Sequence, residues 1–420
     1  MLAIDFPLGS WTVHYLGENF PLESQVTEGK TILVVPANSI KTKIPPRAPA
    51  FYNSLASLSR DISVIFCRAH THMISREPTM LDTFAGVGAR GVRVANEVPR
   101  MNTVELNDVN SVALDFASRS ASANGVSMRC IFTNQEARSL LVSHCRRDKQ
   151  YDFVDIDPFG TPAFYIDCAV GAVVNGGFLS LTATDTPVLC GLYPRVALRR
   201  YGGLPLRTGY CHELGLRLLV SAVARACMQH DLGLRCLFVH NTRHYMRVYL
   251  QILKGSIDSD RTLEQIGYLN HCPDCLYREV STEVTSRCEC GTNKIQRAGP
   301  LWVGAIYNEM TLRSMLEEAS GNSRKAVLTL LQRALGELNL PIGYYLPDQM
   351  ADHLELPSPP PRRVIEELEK RGFKAARSAL NPMGIKTNAD PRTFSQMIKD
   401  YASEMKISGD RSDRRDKIHY

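Results

Sequence analysis

Short apolar runs alternate with amphipathic stretches through residues 79–229. Each run has the length of a buried strand, and the stretches between the runs repeat their apolar positions with the period of a helix. The predicted strands are TMLDTF (79–84), MNTVEL (101–106), CIFT (130–133), YDFVDI (151–156) and GGFLSLTAT (176–184). The predicted helices begin near Arg90, span 111–124, begin at Gln135 and span 213–229. This alternation predicts an α/β domain with an open, mostly parallel sheet covered on both faces.

Two β-branched runs, 234–241 and 245–253, follow and are separated by a short turn. They predict a hairpin, which adds a terminal antiparallel strand to the sheet. Upstream, residues 24–36 predict one strand that ends at Pro36, and residues 53–67 predict a helix with one apolar face.

The pattern changes beyond residue 260. Helices are predicted at 309–319 and 323–338, and the SPPP motif at 358–361 predicts the start of a further helix. We therefore expect an α/β domain with an N-terminal extension at 1–260 and a smaller α+β domain at 261–420.

Length and charge support this division without naming a ligand. The chain has 420 residues, and its net charge of +6 allows nucleic acid as a partner without requiring it. No apolar run approaches the ~20 residues of a membrane span, and the N-terminus lacks the basic region of a signal peptide. We expect no membrane partner and a cytoplasmic or otherwise intracellular, reducing compartment.

The 12 cysteines fall into two groups. Eight are scattered, mostly among apolar neighbours, and the other four form two close pairs, Cys272 with Cys275 and Cys288 with Cys290. Two such pairs can surround one tetrahedral zinc ion in a structural zinc knuckle. The second pair is one residue tighter than usual, so His271 is an alternative ligand, and cysteines that bind no metal are the competing interpretation.

A glycine turn follows the first predicted strand of the alternation. Gly86 and Gly88 allow the backbone to turn tightly and to approach a ligand, and Asp82 ends the strand before them. Glu105 or Asp108, at the end of the next strand, can accept both ribose hydroxyls of a nucleoside cofactor. A nicotinamide dinucleotide, S-adenosylmethionine and a purely structural turn all fit this pattern.

The tetrapeptide Asp157-Pro158-Phe159-Gly160 follows the fourth strand, at the edge where open α/β sheets bind ligands. An aspartate and the Pro158 carbonyl can hold the N–H bonds of an exocyclic amine, and the carboxylate can help to accept its proton. Phe159 offers a face on which a flipped base can stack. The motif alone fits a simple Asp-Pro turn equally well, but together with the glycine turn upstream it favours amine methylation. A dehydrogenase would leave the motif without a role.

Many segments together resemble the tRNA guanosine N2-dimethyltransferase family. EGKTILVVP, FYNSLASLSRDISV, DTFAGVGARGVRVA, VELNDVN, NQEARSLL, DIDPFGTP, GGFLSLTATDTPVLCG, GYCHELGLRLL, HYMRVYL and NPMGIKTNAD occur in the order of that family. The resemblance implies an S-adenosyl-L-methionine-dependent, Rossmann-like methyltransferase that acts on the N2 amine of the guanosine at position 26 of tRNA and forms N2,N2-dimethylguanosine. Members often carry cysteine pairs in the second domain, which supports the zinc interpretation.

The resemblance also implies roles for single residues. The cofactor carboxylate would lie near Arg60 and Arg76, its ribose near Asp108 or, second, Glu105, and its adenine near Glu136 and Ala137. Asp157, Pro158 and Phe159 would form the catalytic set. Glu136 stands where the family usually has aspartate, and it can also be an ordinary acid at a helix N-terminus. Arg60 can be a surface charge beside Asp61.

Basic residues follow the fifth strand of the alternation and should border the same edge. Arginines bind phosphates, and aromatic rings stack on unpaired bases. The candidate RNA-binding residues are Arg195, Arg199, Arg200 and Arg207, with Lys41, Lys43 and Arg47 in an upstream loop. The second domain has features of a winged helix that could clamp the tRNA body.

Two alternatives stay open at this point. One is an exocyclic-amine methyltransferase that acts on another RNA or on DNA. The other is a non-catalytic zinc-containing RNA-binding protein with a decayed cofactor fold, which the intact Asp157, Gly86 and Gly88 oppose. No obligate protein partner is evident.

Overall fold

A computed structural model of the chain describes residues 23–41, 49–243, 245–281, 287–320 and 324–416. It begins with a hairpin of β1 (Glu23–Glu28) and β2 (Thr31–Pro36), which pair antiparallel. The prediction of one strand over 24–36 is therefore wrong. Gly29 turns the chain with a φ of 58°, a conformation that favours glycine.

Seven strands form the main sheet, in the order β5-β4-β3-β6-β7-β9-β8. They are β3 (Thr79–Asp82), β4 (Thr103–Asn107), β5 (Cys130–Thr133), β6 (Tyr151–Ile156), β7 (Val173–Ala183), β8 (Leu232–Thr242) and β9 (Tyr245–Lys254). β3 to β7 are parallel, which confirms the predicted sheet, and β8 and β9 form the predicted hairpin. β9 lies inside the sheet, antiparallel to both β7 and β8, and β8 takes the outer edge.

Helices cover both faces of this sheet. They are α1 (Ala37–Lys41), α2 (Ser57–Thr71), α3 (Gly91–Glu97), α4 (Ser111–Ala123), α5 (Ala137–Ser143), α6 (Ile166–Gly171), α7 (Thr186–Leu189), α8 (Pro194–Tyr201) and α9 (Cys211–Met228). The predicted helix at 53–67 is a short 3-10 turn, Ser54–Ala56, followed by α2. Across the described ranges, no helix has the length and apolar character of a membrane span.

The remainder of the chain packs on the same core. It contains α10 (Ser256–Leu263), β10 (Ile266–His271), β11 (Arg278–Ser281), β12 (Gln296–Trp302), α11 (Glu309–Ala319), α12 (Lys325–Gly336), α13 (Pro347–Leu354), α14 (Pro361–Lys370), β13 (Ala375–Arg377), β14 (Ile385–Thr387) and α15 (Pro391–Asp416). The main apolar cluster runs without a break from Ile62 to Leu380, and a smaller C-terminal cluster surrounds Phe394. Apolar packing is thus continuous across residue 260, and the division into two domains there stays a prediction.

Four buried ionisable side chains join α9 to the C-terminal segment. Glu213 Oε1 lies 2.9 Å from Arg217 Nη2 and 3.0 Å from Lys386 Nζ, and Glu337 Oε2 lies 3.7 Å from the same Lys386 Nζ. We call these four residues the Glu213 cluster. Because a buried charge is stable only when it is paired, the cluster holds β14 against α9.

Candidate active site

The carboxyl ends of β3, β4, β6 and β7 meet at one edge of the sheet. Asp82, the last residue of β3, pairs in register with Leu106 and with Asp155. Its carboxylate is buried and accepts the backbone N–H of Gly91 at 2.9 Å, so it holds the start of α3. Burial and the neighbouring Asp155 carboxylate raise the pKa of Asp82 to about 7.

The glycine turn lies directly above this edge. Gly86 and Gly88 have φ angles of 53° and 75°, and a Cβ at Gly88 would stand 2.7 Å from that of Ala117. Asp108 Oδ2 accepts the N–H of Gly86 at 2.8 Å, and Oδ1 accepts the N–H of Asn110 at 2.9 Å. The structure therefore brings the turn and the carboxylate of Asp108 together.

Glu105, the second candidate for the ribose, is set apart from the turn. It lies inside β4, where its carboxylate accepts hydrogen bonds from Thr133 Oγ1 at 2.6 Å and from the hydroxyl of Tyr151. Burial opposes ionisation, but bonds from His144, Thr133 and Tyr151 outweigh it and lower the pKa of Glu105. The side chain is occupied by a network within the fold.

The two arginines predicted at the cofactor carboxylate lie in different places. Arg76 precedes β3 and is therefore at the amino edge, where its guanidinium contacts Asp152 at 2.7 Å. The structure does not bring Arg76 to the site. Arg60 is buried on α2, pairs with Glu28 and donates to the carbonyl of Asn53 at 2.9 Å. It is not the surface charge of the alternative interpretation.

Asp157 is the charged side chain of the fourth-strand motif, and it is 29% exposed. Arg90 forms an ion pair with it and also donates to Ser63 Oγ. Burial alone would raise the pKa of Asp157, but the charges of Arg90 and Arg247 outweigh it and hold this pKa below the ordinary value. Sequence reasoning missed Arg90, although its place between Gly88 and Gly91 at the start of a helix is a readable signal.

The residues after Asp157 form a fixed turn with an exposed ring. Pro158 is buried, whereas Phe159 is 58% exposed. Gly160 donates its N–H to Thr184 Oγ1 at 2.8 Å and accepts the N–H of Thr184 at 2.8 Å, which ties the turn to the end of β7. The ring of Phe51 meets that of Phe159 edge-on at 4.9 Å. Phe51 lies in a stretch that the sequence pattern does not distinguish from a loop.

Glu136 and Ala137 follow β5 and begin α5. The Glu136 carboxylate accepts the N–H groups of Arg138 at 3.0 Å and Ser139 at 2.9 Å, and these bonds lower its pKa. The side chain acts as a helix cap in this structure, as the alternative interpretation expected. Ala137 is buried beneath it.

The predicted RNA-binding arginines follow β7 on and after α8. Arg195, Arg199 and Arg200 are exposed on the helix, and Arg207 is exposed six residues beyond the end of α8. Arg200 Nη1 lies 3.1 Å from Asp185 Oδ2, and the Tyr201 hydroxyl donates to Asp185 Oδ1 at 2.6 Å. The helix is thereby anchored beside the active-site edge. Lys41 ends α1, and Lys43 and Arg47 lie outside the described residues.

The four clustered cysteines come together between β10 and β12. Their sulfur atoms all lie within 4.8 Å of one another, with 3.6 Å between Cys272 and Cys290 and 3.5 Å between Cys275 and Cys288. Zinc–sulfur bonds of about 2.3 Å in a tetrahedron place sulfurs about 3.8 Å apart, so the group fits zinc. His271 is instead paired with the Tyr210 hydroxyl at 3.0 Å.

Comparisons with known proteins agree with this geometry. The family model described as N2,N2-dimethylguanosine tRNA methyltransferase matches residues 29–399. A tRNA (guanine(26)-N(2))-dimethyltransferase of Methanobrevibacter smithii is 36% identical over 90% of this chain and 97% of its own. One of Pyrococcus furiosus is 31% identical over 89% and 98%.

A solved structure is also similar. Trm1 from Pyrococcus horikoshii in complex with S-adenosyl-L-methionine superimposes with a TM-score of 0.77 and 29% identity, over 89% of this chain and 99% of that one. The matched residues span both the sheet and the C-terminal segments. The chain belongs to the N2,N2-dimethylguanosine tRNA methyltransferase family.

Proposed function

We propose that this protein transfers methyl groups from S-adenosyl-L-methionine to the N2 amine of a guanosine in tRNA, at position 26, and forms N2,N2-dimethylguanosine. The observation that supports this best is the placement of Asp157. It lies at the sheet edge as an ionised acceptor beside an exposed aromatic ring, next to a glycine turn that suits a nucleoside cofactor.

The residues at the edge fit S-adenosyl-L-methionine. Gly86 and Gly88 supply the positive φ angles of the turn, Gly88 packs tightly against Ala117, and Asp108 stands beside the turn as the ribose acceptor. Asp82 fixes the turn, and Ala137 and Glu136 border the adenine end. We assign Arg60, which pairs with Glu28 and donates to the carbonyl of Asn53, to the side of the amino-acid group. When bound, the cofactor supplies an electrophilic methyl group on a positive sulfur.

The motif residues prepare the amine. Asp157 accepts an N–H bond and favours a pyramidal nitrogen with a localised lone pair, and the Pro158 carbonyl accepts the other N–H. The ring of Phe159 holds the flipped base by stacking. Because the low pKa of Asp157 keeps it ionised, it acts first as a hydrogen-bond acceptor and only transiently as a proton acceptor.

The arginines of α8 and the residues beyond 260 would hold the RNA. Arg195, Arg199 and Arg207 are exposed beside the edge, where they can contact phosphates, and Arg200 is held by Asp185. The zinc knuckle has a structural role in this proposal. Leu276, in the loop between Cys275 and β11, packs against the C-terminal apolar cluster, so zinc would fix that contact.

The test is transfer of radiolabelled methyl groups to bulk tRNA, with identification of the product nucleoside. We expect N2,N2-dimethylguanosine from the unaltered protein. We expect Asp157→Ala to lower the rate at least about 100-fold, because the amine loses its anchoring acceptor, while circular dichroism stays unchanged.

The matched control is Asp148→Ala, since Asp148 is an exposed aspartate before β6 that pairs only with Arg146 among the contacts described. It should keep the full rate. A near-normal rate for Asp157→Ala, or a product methylated elsewhere than at guanine N2, would refute the assignment.

A further inference from the structure

A column of polar side chains runs along one face of the sheet to the active-site edge. Tyr245, Arg247 and Tyr249 are alternate residues of β9 and therefore face the same side. Arg247 Nε donates to the Tyr249 hydroxyl at 3.0 Å, and its guanidinium pairs with Asp155 of β6. Asp157, two residues after Asp155, is turned to the same face.

Tyr245 ends this column level with the catalytic turn. In the β7–β9 pairing Met246 is opposite Ala183, so Tyr245 is opposite Thr184. Thr184 Oγ1 accepts a hydrogen bond from the N–H of Gly160. Burial and the nearby Asp157 charge raise the pKa of Tyr245, so its hydroxyl keeps its hydrogen at neutral pH.

Asn53 determines which way that hydrogen points. Its Oδ1 accepts the N–H of Leu55 at 3.0 Å, so the Nδ2 group is the one that faces Tyr245. Nδ2 donates to the Tyr245 oxygen at 2.8 Å. The phenol oxygen is thus an acceptor in this pair, and its own hydrogen must point elsewhere. Within the described ranges, that hydrogen has no acceptor.

We propose that the Tyr245 hydroxyl donates a hydrogen bond to N3 of the target guanine and so fixes the base in its plane for methyl transfer. This inference rests on the proposed function. Carbon 2, which bears the amine, is flanked by N1, which carries a hydrogen, and by N3, which carries a lone pair. An acceptor such as Asp157 suits the N–H side, and only a donor suits N3.

The experiment uses the full chain and synthetic tRNA with 3-deazaguanosine at the methylated position, where a C–H group replaces N3 and the amine is kept. Single-turnover rates are measured for both tRNAs. We expect the single-turnover rate of the unaltered protein to be about tenfold lower on the deaza tRNA, beyond any intrinsic effect of the replacement. On ordinary tRNA, we expect the rate of Tyr245→Phe to be about tenfold lower than that of the unaltered protein. Combining the two changes should add no further loss from this bond. The intrinsic effect on the amine is common to all variants and cancels in the comparison.

Tyr249→Phe is the matched control, because Tyr249 belongs to the same column but bonds to Ser63 within the fold. It should keep full sensitivity to the deaza replacement. Asn53→Asp keeps the acceptor for Leu55 but presents Tyr245 with an acceptor that captures its hydrogen, so it should reproduce the insensitivity of Tyr245→Phe. If the rate losses from Tyr245→Phe and from the deaza replacement multiply when the two are combined, the inference is overturned. Equal rates of the unaltered protein on both tRNAs would also overturn it. An unaltered protein without activity on ordinary tRNA would refute the proposed function instead.

Discussion

At the scale of single residues, the site depends on how one carboxylate is kept charged. Asp157 is partly buried, which favours its neutral form, yet Arg90 and Arg247 keep it ionised. Arg90 is itself held by Ser63 and by Asp155, whose carboxylate lies 3.4 Å from its Nε. The charge of the reactive acceptor is therefore set by side chains that need not touch the RNA.

Replacing Arg90 should change the pH dependence of methyl transfer. Asp157 is ionised above its pKa, which Arg90 and Arg247 hold below the ordinary value, so activity is lost as pH falls through that lowered pKa. Arg90→Gln removes the first of the two lowering charges, so the acid limb of the single-turnover rate should move to higher pH. Arg90→Lys, the matched control, keeps the charge and should leave the limb in place.

Arg90→Gln also leaves Asp155 with one cation fewer, which should cost about 3–5 kcal/mol of unfolding free energy. The limb is therefore measured below the unfolding temperature of each variant. An unmoved limb in folded Arg90→Gln would show that Arg90 does not set the charge of Asp157.

Sequence reasoning located Asp157, Asp108 and the glycine turn because parallel strands end at a common edge. It placed Arg76 at the cofactor, but Arg76 stands before its strand and so falls at the opposite edge. It could not foresee that Glu28, from the first hairpin, would pair with Arg60. Such partners are distant in sequence, and no local pattern relates them.

At the scale of elements, the cysteine loops show how local spacing can suffice. The Cys288-x-Cys290 pair is short, yet the turn in which Cys288 accepts the N–H of Gly291 and donates its own N–H to Thr292 points both sulfurs inward. The order of strands could not be obtained in the same way. A hairpin at the sheet edge can place either strand outermost, and only the packing decides for β8.

Zinc content should depend on all four cysteines. We expect about one zinc per chain in the purified protein and almost none after Cys275→Ser, with a lower unfolding temperature, since a structural ion stabilises only the folded site. Cys145→Ser removes an exposed cysteine outside the cluster and should keep the metal. Elemental analysis together with thermal unfolding decides; unaltered protein without zinc would contradict the assignment.

At the scale of the whole molecule, the Glu213 cluster couples the two parts of the chain. Burial would raise the pKa of Glu213, but Lys386 and then Arg217 lower it from 4.5 to about 2. Glu337 behaves oppositely, because burial and the Glu213 charge raise its pKa. The cluster therefore holds its C-terminal partner most strongly when Glu213 is ionised.

The stability of the fold should follow this ionisation. A lowered folded-state pKa contributes stability above pH 4.5 that is lost as pH falls towards 2. Glu213→Gln should cost about 3–5 kcal/mol of unfolding free energy at neutral pH, because Lys386 and Arg217 lose their partner. The difference from the unaltered protein should shrink below pH 4.5. Denaturant unfolding measures it.

Glu366→Gln provides the comparison, since Glu366 is an exposed glutamate on α14 that pairs with Arg362. It should change stability little at any pH. A constant difference between Glu213→Gln and the unaltered protein from neutral pH to pH 2 would show that Glu213 is not ionised in the fold.

The Lys386–Glu213 pair also bears on how the protein is made. The two residues are 173 positions apart, and a chain leaves the ribosome with its N-terminal part first. Until Lys386 emerges, the nascent α9 carries Glu213 with Arg217 as its nearest cation, and closing the core over that charge is unfavourable. Final consolidation of the methyltransferase core should therefore wait until Lys386 has been translated, and a nascent chain arrested before Lys386 should remain easier to digest with protease than a chain that includes it.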